Sequence, residues 1–337
     1  MIRLSICIPT YNFGRFIGET LDSILPQLSA EVEVLILDGG SVDNTATEVA
    51  TKQEKCKSIA YHLQDSRGGI DRDIEKIVSL ARGQYCWLFS ADDIMQPDSI
   101  MKILEAIKTN YDVYLCEHLL CDFNMRPLRE YPPLQSVATP RLFDFSDENQ
   151  RKTYFRLART SEAFFSFMSS PIFKRSVWDA AKVPESCRGT CWIVAGHLLS
   201  IAPNEFTIYY LAEKLLKKRG GNDSFADQGM VNRSRIAIEM FQHVSNTIFG
   251  EQSQEAFHIR RVLQQDIPLS YLMLAKLATA ENPALEDVEL LNRVAKMHYA
   301  DKTLNNIGKH ALYKITPTLV IKFAYWLKIL IRKKNVQ

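Results

Sequence analysis

No stretch of this 337-residue sequence is apolar for long enough to span a bilayer. The opening residues, Met1 to Pro9, lack the basic segment, long apolar core and small-residue cleavage site of an export signal, and they read instead as a first strand. The chain is therefore expected to stay in the cytoplasm. Also missing is a Gly-x-Gly-x-x-Gly fingerprint, which removes support from hydride transfer. Neither repeats nor low-complexity tracts occur, so the sequence does not describe a solenoid or a disordered chain. Seven cysteines are scattered at 7, 56, 86, 116, 121, 187 and 191 without the grouped partners that zinc needs, and reduced, buried thiols are expected. Acidic residues are absent from Lys302 to Gln337, where eight Lys or Arg occur, so the net charge of +2 divides into +8 there and −6 before it. No nucleic-acid partner is expected.

What is present is ordinary globular composition, 46% hydrophobic and 24% charged, in a chain long enough for one large domain with additions or for two domains. Tyr85 to Phe89 is a five-residue run suited to a buried strand, and it stops abruptly at Ser90-Ala91-Asp92-Asp93. The helical pattern Ile100, Ile103, Leu104, Ile107 follows. The two acids thus sit at the C-terminal end of a strand, where ligands bind in open α/β sheets. Adjacent carboxylates there suit a metal-assisted diphosphate site, although helix capping by Asp92 or Asp93 would also explain an acidic turn.

Three earlier strands end in the same way. Leu4 to Ile8 breaks at Pro9-Thr10-Tyr11-Asn12 before a helix over Phe16 to Leu25. Glu31 to Leu37 ends in Asp38-Gly39-Gly40-Ser41-Val42-Asp43-Asn44-Thr45. Here Asp38 can accept hydrogen bonds from a base or ribose and the glycines admit a close ligand, while Ser41 or Asp43 would serve equally as a helix cap. Ser58 to Leu63 leads into Asp65-Ser66-Arg67-Gly68-Gly69-Ile70-Asp71-Arg72-Asp73. This alternation predicts an α/β fold with a mainly parallel sheet and crossover helices.

In order and spacing, Pro9 to Asn12, Asp38 to Thr45, Ala81-Arg82-Gly83-Gln84-Tyr85 and Ala91-Asp92-Asp93 resemble the signature of family 2 glycosyltransferases with the GT-A fold. Ser90 to Asp93, Gly189-Thr190-Cys191-Trp192 and Arg219 to Phe225 are similar, more narrowly, to bacterial O-antigen abequosyltransferases, which transfer a 3,6-dideoxyhexose. The resemblance implies a GT-A domain over 1–225, with a nucleotide-sugar half (1–110) and an acceptor half (111–225), then a helical extension (226–300) and a basic tail (301–337). It implies that Pro9, Thr10, Tyr11, Asn12, Asp38 and Ser41 hold the nucleoside, with Asp65, Gly69, Arg72 and Asp93 bordering the nucleotide sugar. Mg²⁺ or Mn²⁺ would be held by Asp92, with Asp93 secondary. Ser90 departs from the pattern, since the family commonly has Asp at that position.

On the acceptor side, Trp192 offers a flat face for a sugar ring, and Arg219, Asn222 and Asp223 lie in a cationic turn that would close over the diphosphate. The acidic pair that many family members use to deprotonate the acceptor is not found. Glu185 and His197 are the candidate bases, with Asp223 a rival. The implied reaction moves a sugar, abequose or a related dideoxyhexose from its CDP donor, onto a polyprenyl-diphosphate-linked O-antigen oligosaccharide during lipopolysaccharide biosynthesis. A sugar nucleotidyltransferase, which lacks support for want of a Gly-rich triphosphate loop, and a non-catalytic nucleotide-sugar binder are the alternatives.

From Asp227 onward apolar residues recur at helical spacing, Ile236, Met240, Val244 and Ile248 among them. Leu319 to Lys334 mixes apolar and basic residues at the same spacing, with Tyr325 and Trp326 suited to an interface. That tail is expected to rest on the inner face of the cytoplasmic membrane as a peripheral anchor. A core helix or a homo-oligomer contact is the other reading of the same surface.

Overall fold

The computed structural model describes residues 1–202 and 206–334. Among them, ten strands form one sheet: β1 (Leu4–Thr10), β2 (Val32–Asp38), β3 (Ile59–Leu63), β4 (Tyr85–Leu88), β5 (Ile94–Met95), β6 (Val113–Cys121), β7 (Pro127–Tyr131), β8 (Arg141–Asp144), β9 (Pro171–Lys174) and β10 (Thr207–Lys218). Their order is β3-β2-β1-β4-β9-β6-β10-β5, with β7 on β6 and β8 on β10. The first four strands are mutually parallel, as the alternating pattern predicts, and β9 enters antiparallel between β4 and β6. Every residue of β1, β2 and β4 is buried, which is why these strands read as near-continuous apolar runs.

Helices α1 (Gly14–Ile24), α2 (Thr45–Lys55), α3 (Ile70–Leu80) and α4 (Ser99–Ala106) follow β1, β2, β3 and β5. Each turns an apolar face to the sheet; Ile17, Leu21 and Ile24 of α1 are fully buried against a core that includes Ile6, Ile36, Trp87 and Phe89. Burial of each such side chain is worth about 1.5–3 kcal/mol. The second half adds α5 (Glu148–Leu157), α6 (Arg175–Ala180) and α7 (Ile193–Ile201).

Residues 113–121 form the single strand β6. Within the proline-bearing segment 131–144, β8 pairs with β10. Lys214 to Lys218 belongs to β10, where the cations stay half-exposed while Leu215 and Leu216 are buried.

Two compact units result, one of residues 1–222 with 244–258 and the other of 223–243 with 259–337. In the later part, α8 (Gly229–Ser234) and α9 (Phe241–Phe249) flank a π-helical stretch, Arg235–Met240. They are followed by α10 (Gln254–Asp266), α11 (Leu269–Glu281), α12 (Val288–His298), α13 (Leu304–Ile315) and α14 (Thr318–Lys334). The second unit has its own core, which includes Val231, Ile238, Leu272, Leu291 and Val294. No described helix is long and apolar enough to cross a membrane. Of the 301–337 tail, 335–337 lie outside the described residues.

Candidate functional site

Parallel pairing brings the ends of β1, β2 and β3 to one edge, with Thr10 opposite Asp38 and Asp38 opposite Leu63. β4 pairs parallel with β1, so the acidic turn after it leaves the sheet at that edge too.

Asp38 is fully buried. Its Oδ1 accepts from the Ser41 N–H at 2.7 Å and its Oδ2 from the Tyr61 hydroxyl at 2.7 Å. Asn12, in the left-handed region at φ 58°, ties the first loop to the second: its N–H donates to Ser41 Oγ at 2.7 Å, and its Oδ1 accepts from the Val42 N–H at 2.9 Å. Arg67 lies over the Tyr11 ring at 4.3 Å. Pro9 is buried in β1, and the buried Thr10 Oγ1 has no hydrogen-bond partner among the described residues. Asp65 and Arg72 are exposed, and Gly69, at φ 88°, turns the chain into α3.

Asp73 was not singled out from the sequence, yet it is buried here. Its Oδ1 accepts from Gln64 Nε2 at 2.7 Å and would lie only 2.7 Å from a Cβ at Gly68, so no side chain fits at 68 without displacing it. Burial, opposed by Gln64 and Arg67 but reinforced by the Asp38 charge, raises its carboxyl above the usual range.

Around the acidic turn the two carboxylates have different surroundings. Asp92 Oδ1 accepts from Ser90 Oγ at 2.6 Å and Oδ2 from Asn222 Nδ2 at 2.8 Å. Asp93 is sealed in: it accepts from the Arg219 N–H at 3.0 Å and Ser169 Oγ at 3.3 Å, and burial followed by the Asp92 charge pushes its carboxyl well above the ordinary value. The resemblance makes Asp93 a secondary cation ligand, and its 2% exposure and raised carboxyl weigh against that role. Arg219 is not a mobile clamp either. Its guanidinium, in a residue only 9% exposed, donates to the carbonyls of Asp92 (2.9 Å) and Phe123 (2.6 Å) and to Glu19 Oε2 (2.6 Å), so it braces the turn from beneath. Asp223 lies in the second unit, paired with Arg233 at 2.6 Å.

No three His, Cys, Asp or Glu among the described residues converge as a cation site. Asp92 and Asp93 each accept one hydrogen bond on each oxygen, and Asp92, 7% exposed against 2%, is the less deeply buried of the two. One carboxylate completed by substrate phosphates and water is a common mode for Mg²⁺, so the donor set fits a cation that arrives with a diphosphate.

Trp192, half-buried, caps the start of α7. Just below it Asp71 accepts from the Cys191 N–H at 3.0 Å and the Ile193 N–H at 3.3 Å. Burial outweighs these bonds and raises the Asp71 carboxyl. His197 stacks on Trp178 with ring centres 3.7 Å apart, and its nitrogens lie 3.3 Å from the Trp178 carbonyl and 3.2 Å from Glu75 Oε1. Burial lowers its pKa despite Glu75. Both ring nitrogens are thus engaged within the protein, which argues against the expected role as base. Glu185 is 86% exposed at its side chain and paired with Arg188 at 2.6 Å on the surface.

A second buried polar cluster also escaped the sequence reading. His118 is 1% exposed, stacked on Tyr131, with Nδ1 3.3 Å from Glu162 Oε2 but outside hydrogen-bond geometry. Lys218 donates to Glu162 Oε1 at 2.9 Å and lies 4.0 Å over the Phe167 ring. Burial, then the Lys218 charge, lowers the His118 pKa to about 2.

The sequence model for glycosyl transferase family 2 matches residues 5–178. Abequosyltransferase RfbV of Salmonella typhimurium is 28% identical over 276 residues, which cover 81% of this chain and 83% of that protein. Among solved structures, the S. aureus TarS 1–349 complex with UDP-GlcNAc superposes with a TM-score of 0.59 at 13% identity, covering 97% of this chain and 92% of that 1–349 fragment. The mannosyltransferase PcManGT of Pyrobaculum calidifontis, in complex with GDP-Man and Mn²⁺, gives 0.54 at 14% identity, covering 95% and 86%. The shared architecture is the GT-A fold, a mixed sheet flanked by helices with a helical C-terminal part.

Proposed function

Since the chain belongs to glycosyl transferase family 2 and is a nucleotide-sugar-dependent glycosyltransferase, we propose that it moves a 3,6-dideoxyhexose, abequose or a close relative, from its CDP donor onto a lipid-linked O-antigen oligosaccharide. The similarity to RfbV over most of both chains carries this choice of donor and acceptor. Thr10, Asp38 and Asp92, gathered at the carboxyl edge of the parallel strands, support a donor lying across that edge.

In this reading the loop of Tyr11, Asn12, Ser41 and Asp38 holds the nucleoside, with the Asp38 carboxylate kept in place by Tyr61 and Ser41. Asp92 would hold Mg²⁺ or Mn²⁺, which when bound neutralises charge on the departing diphosphate. Arg219 and Asn222 keep the acidic turn in the shape that this requires. On the acceptor side Trp192 stacks on the sugar. Asp71 takes the acceptor proton: it adjoins Trp192, is set by two backbone N–H groups, and has the raised basicity suited to a general base. The enzyme works at the inner face of the cytoplasmic membrane, to which its basic C-terminal helix binds.

Product analysis tests the reading. CDP-abequose, other CDP-dideoxyhexoses, UDP-GlcNAc and GDP-mannose are each offered with a polyprenyl-diphosphate oligosaccharide. Transfer confined to the CDP-dideoxyhexoses is expected; transfer only from UDP or GDP donors would overturn the donor assignment.

A further inference from the structure

Helix α13 has a buried inner side and an apolar outer face. Asn306 and Tyr313 are buried on the inner side, where the Tyr313 hydroxyl donates to Asn292 Oδ1 at 2.9 Å. The outer face nevertheless carries Leu304, Ile307, Leu312 and Ile315, spaced at three, five and three residues and 91%, 57%, 48% and 74% exposed. Helix α14 repeats the pattern: Ile321 is buried, whereas Leu319, Val320, Phe323, Trp326 and Leu327 are exposed along one stripe. The stripes continue into an apolar groove of about 490 Å³ between α11, α13 and α14, lined by Leu269, Met273, Leu312, Val320 and Tyr325 among others. A water-facing helix normally presents polar residues on its outer side, and an apolar surface this extended marks a docking site.

We infer that α13 and α14 together, rather than the C-terminal helix alone, form an in-plane hairpin that docks on an anionic phospholipid bilayer. The inference rests on the membrane-surface reading above and names the surface responsible. Charge selects the occupant. Neither helix contains Asp or Glu, and Lys309 and Lys314 lie beside the α13 stripe, with Lys302 just before α13, while Lys322 of α14 pairs with Glu281 at 3.0 Å. Pairing with a second copy of this chain through the same surface would bring these cations together, whereas anionic headgroups neutralise them. Apolar side chains with flanking lysines and an interfacial Trp are the composition of helices that lie in the headgroup region.

The test uses the full chain with vesicles of phosphatidylglycerol and phosphatidylethanolamine, or of phosphatidylcholine alone, and contains neither donor nor acceptor. Its outcome is therefore independent of whether the assignment of the sugar reaction holds. The native protein is expected to sediment with the anionic vesicles and to be released by salt. Two variant pairs, Ile307→Glu with Ile315→Glu on α13 and Leu319→Glu with Phe323→Glu on α14, should each weaken sedimentation by about tenfold or more. All four positions are exposed, so thermal unfolding should be unchanged and reports that the fold is intact. Unaltered vesicle binding by the α13 pair would overturn the two-helix surface. Absence of native binding, together with a concentration-dependent dimer that the same variants dissociate, would assign the surface to a second copy instead.

Discussion

Asn222 reaches across 130 residues of sequence to donate its side-chain amide to Asp92 Oδ2 at 2.8 Å. With Ser90 Oγ on the other oxygen, that bond fixes the orientation of the less deeply buried of the two adjacent carboxylates at the strand end. The loop after β10 therefore shapes the acidic turn through Asn222, while its arginine braces the backbone underneath.

Asp92→Asn should lower kcat by about 100-fold or more while leaving the thermal transition in place, since the charge is lost and the shape is kept. Titration of Mn²⁺ against the variant measures this. Native-like turnover at saturating cation would remove Asp92 from the metal site.

Tyr61→Phe removes the hydroxyl that holds Asp38 Oδ2 and leaves a buried carboxylate oxygen short of a donor, at a cost of about 1–3 kcal/mol. The expected result is a donor KM raised by about tenfold with a smaller change in kcat. A fall in kcat at constant KM would argue that Asp38 acts on the chemical step instead.

Asp71→Asn should abolish the rising limb of the pH–rate profile. A general base works only when deprotonated, so in the proposed mechanism kcat/KM of the native enzyme should climb as pH passes through the raised pKa of Asp71. His197→Gln, by contrast, should keep that limb. Persistence of the limb in the Asp71 variant would place the base elsewhere.

His118 makes stability acid-sensitive. Its folded pKa, about 2, lies below the unfolded value of 6.5, so the unfolded chain binds the proton first. Stability is unaffected by this group above pH 6.5 and is lost as pH falls from there toward 2, at about 1.4 kcal/mol per pH unit once below about pH 6. Chemical denaturation of native protein and His118→Phe across pH 4–7 checks the sign. The variant should show a shallower acid limb, and parallel limbs would exclude His118 as its source.

The sequence by itself determined the elements whose logic is local. β1, β2 and β4 are legible because a strand buried on both faces must be a continuous apolar run, and α1, α3 and α4 because one-sided burial imposes helical spacing. The polar breaks at Pro9 to Asn12, Asp38 to Thr45 and Ser90 to Asp93 mark the strand ends, and parallel topology then requires those ends to share an edge. Only the tertiary structure decided what each polar side chain does there. Asp92 and Asp93 are adjacent in sequence, yet folding gives them different partners: Ser90 and Asn222 hold Asp92, while Ser169 and the Arg219 N–H hold the more deeply buried Asp93. Asp71 lay unremarked in a charged run until folding set it against α7, 120 residues later. Lys214 and Lys218 lie along β10, where Glu130 and Glu162, contributed by distant segments, pair with them. Hydrophobic periodicity is a property of neighbouring residues. The pairing of charges and hydrogen bonds is a property of the fold.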